Sequence, residues 1–242
     1  MGILDAAIGQ ITDFMSRRWQ GAPGKTFLYD DTGSPWPTGG KNNIVLLQDT
    51  GVELGNPRQE SLSLILWTDG PSRIQDGRIT VIGPDLPESR GKSLPFAKIV
   101  MATVHGFNES NTCDRWQEMD LLRFDIDLAG YMMRAVSQYQ REWSRVSRGA
   151  LEKGVSFKIL GSALLDRMKA KEYIDGVEIL FVTESPGAIR ELRKVADGAM
   201  AIIGALNRMN EEIEADCTAC DYRVVCDAVD GLREMHTARK TP

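Results

Sequence analysis

The sequence is poor in the residues that catalysis and covalent cross-linking draw on most: among 242 residues there are four cysteines and two histidines. His105 and His236 are too few and too scattered to form an acid–base pair. No apolar run approaches the roughly 20 residues that span a bilayer, so no transmembrane helix is expected. The opening stretch MGILDAAIGQITDFMSRRW lacks the basic-then-apolar order of a secretory signal, and the chain reads as cytoplasmic. Positive charge is also short. A formal net charge of −5 gives no general affinity for nucleic acid or for an anionic membrane, and neither is an expected partner. The phosphate-loop pattern is missing too, because GAPGKT at 21–26 falls short of G-x4-G-K-[ST] and follows no apolar strand.

What is present is an ordinary globular composition, 42% hydrophobic and 26% charged, in a chain long enough to build a core without disulfide staples. The first residues predict an amphipathic helix with Ile3, Leu4, Ala7, Ile8, Ile11 and Phe14 on one side. Residues 20–43 are dense in Gly and Pro and read as mostly loop. Strand-length apolar segments follow at 43–48, 61–68, 78–83 and 97–104, too closely spaced for helices between them, which predicts largely antiparallel neighbours. From Met119 to about Arg145, Leu122, Ile126, Ala129, Met133, Val136 and Tyr139 recur at three- and four-residue steps, predicting a long amphipathic helix. Ser147 suits a helix cap, 159–173 is helical, 176–183 is a strand, and Ser185 with Pro186 opens another helix. The expected fold is α+β: a mixed, largely antiparallel sheet packed against the long helix and further C-terminal helices, ending in a cysteine metal site. Three divisions are expected: an N-terminal helix and loop (1–43), an α+β domain (44–215), and a C-terminal cysteine motif and helix packed on the same domain (216–242).

Three of the four cysteines crowd into CTACDYRVVC at 217–226. A reducing compartment disfavours disulfides, so such a cluster more often holds a metal. Cys217 and Cys220 reach one centre from a single turn, Cys226 returns after five residues, and Cys113 is the only remaining thiolate. Four thiolates complete a [4Fe–4S] cluster or a tetrahedral zinc site; with zinc, His105 or His236 could replace Cys113. The spacing C-x2-C-x-Y-x3-C, with Tyr222 at the tyrosine, also resembles the tail of certain iron–sulfur nucleases. Those enzymes need an E-x-K beside a strand, whereas Glu178 is followed by Ile179 and Leu180, so nuclease activity is not expected.

Three ordered segments carry a wider resemblance. VELGNPRQESLSLIL (52–66), IQDGRITVIGPDL (74–86) and WSRVSRGALEKGVSFKILGSALLDRM (143–168) resemble the middle domain of the carbon monoxide dehydrogenase/acetyl-CoA synthase β subunit family, from about residue 45 onward. The resemblance implies a [4Fe–4S] cluster at Cys217, Cys220 and Cys226, with Cys113 the candidate fourth ligand as the remaining thiolate. It also implies work in anaerobic one-carbon metabolism with a carbon monoxide dehydrogenase, corrinoid protein or methyltransferase. The family's C-G-C dinickel motif does not occur in these 242 residues, so the expected role is cluster-bearing rather than carbon–carbon bond formation. The family's middle domain further implies an approach for coenzyme A. Arg141, Trp143, Arg145 and Arg148, with Arg134 nearby, are the candidates, and Arg141, Arg145 and Arg148 share one helix face if the helix persists. At this point a binding module, a coenzyme-A-dependent acyl- or methyl-transferring enzyme and a zinc-stapled structural protein all stay open.

Overall fold

The computed structural model describes residues 2–21, 24–29, 36–91, 93–137, 140–210 and 221–229. In chain order the elements are α1 (Asp5–Gly21), β1 (Lys25–Leu28), β2 (Thr50–Leu54), β3 (Ser61–Thr68), β4 (Arg78–Ile82), β5 (Phe96–Val104) and α2 (Thr112–Leu121). Then come β6 (Tyr131–Val136), β7 (Glu142–Ser147), α3 (Arg148–Glu152), α4 (Phe157–Lys169), β8 (Ile174–Val182), α5 (Pro186–Asn210) and α6 (Arg223–Ala228).

Five strands form the main sheet in the order β1-β4-β8-β5-β3. It is mixed: β3–β5 and β4–β8 are parallel, β1–β4 and β5–β8 antiparallel. Strands β3 and β5 are buried at every position, as strands covered on both faces should be. Neighbouring residues of β4 identify the two coverings. Ile79 abuts Gly161 of α4, while Thr80 shares a cavity with Thr12 and Ser16 of α1. Helix α5 lies beside α1 and packs on β3. Leu4, Ala7, Ile8, Ile11 and Phe14 are all buried, so the predicted face of α1 is the one that enters the core. On the α4 side, the rings of Phe96, Phe157 and Phe181 stack, with Phe157 and Phe181 centroids 4.7 Å apart.

A second sheet, β2-β7-β6, is antiparallel throughout and lies against the free edge of β3. The Ser63 amide donates to the carbonyl of Gln140 at 2.7 Å, so this small sheet covers an edge that would otherwise expose unpaired backbone groups.

Three expectations are corrected. The long helix over 119–145 does not form: α2 ends at Leu121, a 3-10 turn covers Leu122–Asp125, and the rest is the β6–β7 pair. Gly130, at φ +79, sits where a Cβ would meet Ser147 Oγ at 2.5 Å and Ala150 Cβ at 2.7 Å, so the chain turns there rather than continuing helical. The strand expected at 43–48 begins later, at Thr50. Asn43 instead donates to the carbonyls of Leu128 and Tyr131 and accepts from the Gly130 amide, tying its stretch to the turn before β6. Within the loop expected at 20–43, Lys25–Leu28 pairs with β4 as the sheet's edge strand. Other expectations match. Ser147 caps α3, and Ser185 accepts from the Ala188 amide at the start of α5. No described helix is long and apolar enough to cross a membrane.

Candidate functional site

The arginines expected on one helix face lie instead along a strand and its flanks. Arg145 and Trp143 sit two apart on β7, which puts both on one face of the sheet, and Arg141 precedes the strand by one residue. The Trp143 ring is flanked by the guanidinium groups of Arg134 and Arg145, 5.1 and 5.4 Å from its centroid. Arg145 Nε donates to Glu53 Oε1 at 2.8 Å across the β2–β7 ladder. Burial works against ionisation of Glu53, but hydrogen bonds from Arg145 and Asn56 outweigh it and hold the carboxyl below the usual carboxylate range. Arg145 is thus committed to a structural carboxylate. Arg148 opens α3 and donates to the Thr50 carbonyl at 3.3 Å. Arg141 donates to the Gln59 carbonyl at 2.7 Å and faces a cavity of about 630 Å³ between the hairpin and α5. The structure therefore groups Arg134, Trp143 and Arg145, and leaves Arg141 and Arg148 apart at the two ends of the strand.

Of the four cysteines, Cys217 and Cys220 lie outside the described residues, as does His236. Cys113 is buried in the first turn of α2, and Cys226, on α6, is half-buried against the core. Helices α2 and α6 both pack on α5, so one helix backs both thiol-bearing elements. Among the described residues no group of three or more His, Cys, Asp or Glu is placed to hold a metal ion. His105 follows β5, with Nδ1 at 2.8 Å from Asp175 Oδ1 on an exposed surface.

Sequence reasoning missed a charged seam between the two sheets. Lys98 Nζ lies 2.6 Å from Glu142 Oε2, with both side chains almost wholly buried. Arg123 and Asp120 pair at 2.5 Å beside them, and Tyr131 reaches Glu142 and the hydroxyl of Ser144, the latter at 3.0 Å. Burial opposes the Glu142 charge, yet the Lys98 ammonium more than offsets it and keeps the carboxyl below its ordinary range. For Asp120 burial prevails over Arg123, and its carboxyl is pushed up; burial also drives the Tyr131 hydroxyl well up. A signal was available. Lys98 interrupts the apolar run FAKIVMATV, and a lysine inside a covered strand requires a buried counter-charge.

The comparisons agree with the resemblance. A family model described as the CO dehydrogenase/acetyl-CoA synthase complex beta subunit matches residues 41–187. The acetyl-CoA decarbonylase/synthase complex subunit beta of Methanopyrus kandleri is 32% identical over 139 residues, 56% of this chain and 29% of that protein. The carbon monoxide dehydrogenase/acetyl-CoA synthase subunit alpha of Moorella thermoacetica is 29% identical over 151 residues, 61% of this chain and 20% of its own length. The acetyl-CoA decarbonylase/synthase complex subunit beta 2 of Methanosarcina acetivorans is 28% identical over 181 residues, 70% of this chain and 36% of the relative. The chain thus spans about a third or less of the curated relatives it matches. The matched residues run from the loop before β2 to the start of α5 and include the whole arginine–tryptophan face. By that match the chain belongs to the CO dehydrogenase/acetyl-CoA synthase complex beta subunit family.

Proposed function

We propose that this chain is a cluster-bearing subunit in anaerobic acetyl-CoA and one-carbon metabolism, acting in the cytoplasm beside a carbon monoxide dehydrogenase. A corrinoid protein or methyltransferase would be the further partner. The observation that carries this reading is the family match over 41–187, a stretch that leads directly into α5, the helix on which α6 with Cys226 packs. Cys113, Cys217, Cys220 and Cys226 would hold a [4Fe–4S] cluster, which supplies one-electron transfer when bound. In this reading residues 1–43 brace the main sheet, 44–215 form the family domain, and 216–242 bring the remaining thiols to it. Half-burial of Cys226 against α5 supports this, since a thiolate cluster is stabilised by exclusion of water around its sulfurs.

Anaerobic purification with iron, sulfide and EPR analysis tests the proposal. Equal amounts of iron and acid-labile sulfide, lost in Cys226→Ala, are expected. A colourless protein holding only zinc would replace this reading with a zinc-stapled structural role.

The arginine–tryptophan face favours a second reading, a coenzyme A site in an acyl- or methyl-transferring subunit. Because Arg145 is neutralised by Glu53, the phosphates would fall to Arg141, Arg148 and Arg134, whose guanidinium forks suit phosphate oxygens. Calorimetry with coenzyme A checks it, and binding should weaken at least several-fold in Arg141→Gln.

A further inference from the structure

The cavity faced by Arg141 has a second wall that the family match does not reach. Arg193, Asp197 and Met200 of α5 line it, and so does Tyr222, at the entry to α6; all lie beyond residue 187. Arg141 and Arg193 line it together with Glu60 and Asp197, and of the two carboxylates Glu60 is already engaged by Arg190 at 3.4 Å. Arg141 and Arg193 both donate to carbonyls at the start of β3, those of Gln59 and Ser61, which aims two guanidinium groups into one space.

Tyr222 is there because α5 has a notch for it. A Cβ on Gly204 would lie 2.9 Å from the Tyr222 hydroxyl and 3.1–3.2 Å from two ring carbons, so the ring rests directly on the helix backbone. Past Tyr222, Val225, Cys226 and Val229 continue the contact with the core. The ring therefore does two things at once: it anchors the cysteine-bearing helix and completes the cavity.

We propose that occupation of this cavity by a phosphate-bearing ligand and docking of α6 on α5 are thermodynamically linked through Tyr222. A ligand that needs the Tyr222 wall binds the docked state better and must favour docking by the same factor by which docking favours the ligand. The position of Cys226 then follows ligand occupancy. This rests on the reading of Arg141 as a phosphate-holding residue; it does not depend on which metal the cysteines carry.

The test uses the full chain, purified anaerobically, with coenzyme A as the probe. Affinity is measured by calorimetry and amide hydrogen exchange is followed over residues 221–229. In the native chain, saturating coenzyme A should slow exchange across α6 several-fold. Gly204→Ala fills the notch while favouring the α5 helix itself, and should speed exchange in α6 and weaken coenzyme A by no more than that factor. Tyr222→Phe, which keeps the ring, should retain most of the coupling, and Tyr222→Ala should lose it. If coenzyme A binds and Arg141→Gln weakens it while α6 exchange is unchanged, the linkage is overturned and the arginine reading stands. Absence of any binding removes both, and iron content then judges the cluster reading separately.

Discussion

Lys98 and Glu142 show what one buried charge demands of its surroundings. Each would be costly alone between the sheets, and each is tolerated because the other is 2.6 Å away. Removing one partner should therefore hurt more than removing both. Lys98→Met leaves the Glu142 carboxylate buried without its cation and should cost about 3–5 kcal/mol. Adding Glu142→Met removes the orphaned charge, and most of that loss should return; the Ser61 hydroxyl still holds the backbone of residue 142. Urea unfolding of the two single variants and the double variant decides the matter. Equal destabilisation by Lys98→Met and by the double variant would mean that the pair acts through packing, not charge.

Among the elements, legibility followed the polarity of the buried face. Strands β3, β4, β5 and β8 announced themselves because their interior positions are apolar and their ends are marked by Gly, Pro or Asp. Strand β7 was hidden because the residues it turns inward, Glu142 and Ser144, are polar partners of the seam. Its alternation therefore vanished from hydropathy, and the chance spacing of Leu122, Ile126, Ala129 and Met133 imitated a helix. Trp143 and Arg145 share a strand face because they are two apart, whereas the expected Arg141–Arg145–Arg148 helix face does not exist. The cysteine spacing was legible as a pattern, but spacing alone could not show that α2 and α6 share α5 as a support. Helix α4 offers a test of element packing. A Cβ on Gly161 would meet Ile79 Cδ1, Cγ2 and Cγ1 at 2.9–3.1 Å, so α4 rides close on β4 only because that side chain is absent. In Gly161→Ala the helix gains roughly 1 kcal/mol of propensity. Crowding costs about 1–3 kcal/mol, and net destabilisation is expected. Ile79→Val removes one of the three clashing atoms, so the two substitutions should couple favourably in a double-mutant cycle read by thermal unfolding. Strict additivity would contradict this close approach.

At the scale of the whole molecule, the carboxylates set how stability responds to acid. Glu53, Glu88, Glu118, Glu142 and Glu191 all have carboxyl groups held below their ordinary value of 4.5. A depressed folded value contributes stability that is fully present above 4.5 and is lost as pH falls through the folded value. Glu88, Glu118 and Glu191 are about half-exposed, where water and salt weaken such pairs, so Glu142 and then Glu53 should dominate. Asp120 runs the other way. Its raised carboxyl favours the protonated fold, a contribution complete below its ordinary 3.8 and lost as pH rises through the folded value. The urea midpoint should therefore be level near neutrality and fall below about pH 4.5, with Asp120 softening the fall. Asp120→Asn removes the opposing group. The variant loses the ion pair with Arg123, and its midpoint should drop more steeply on acidification than that of the native chain. The slope is the informative quantity. Parallel curves for the two proteins would show that Asp120 is ionised in the fold down to its ordinary range, and that Arg123 outweighs burial in the seam.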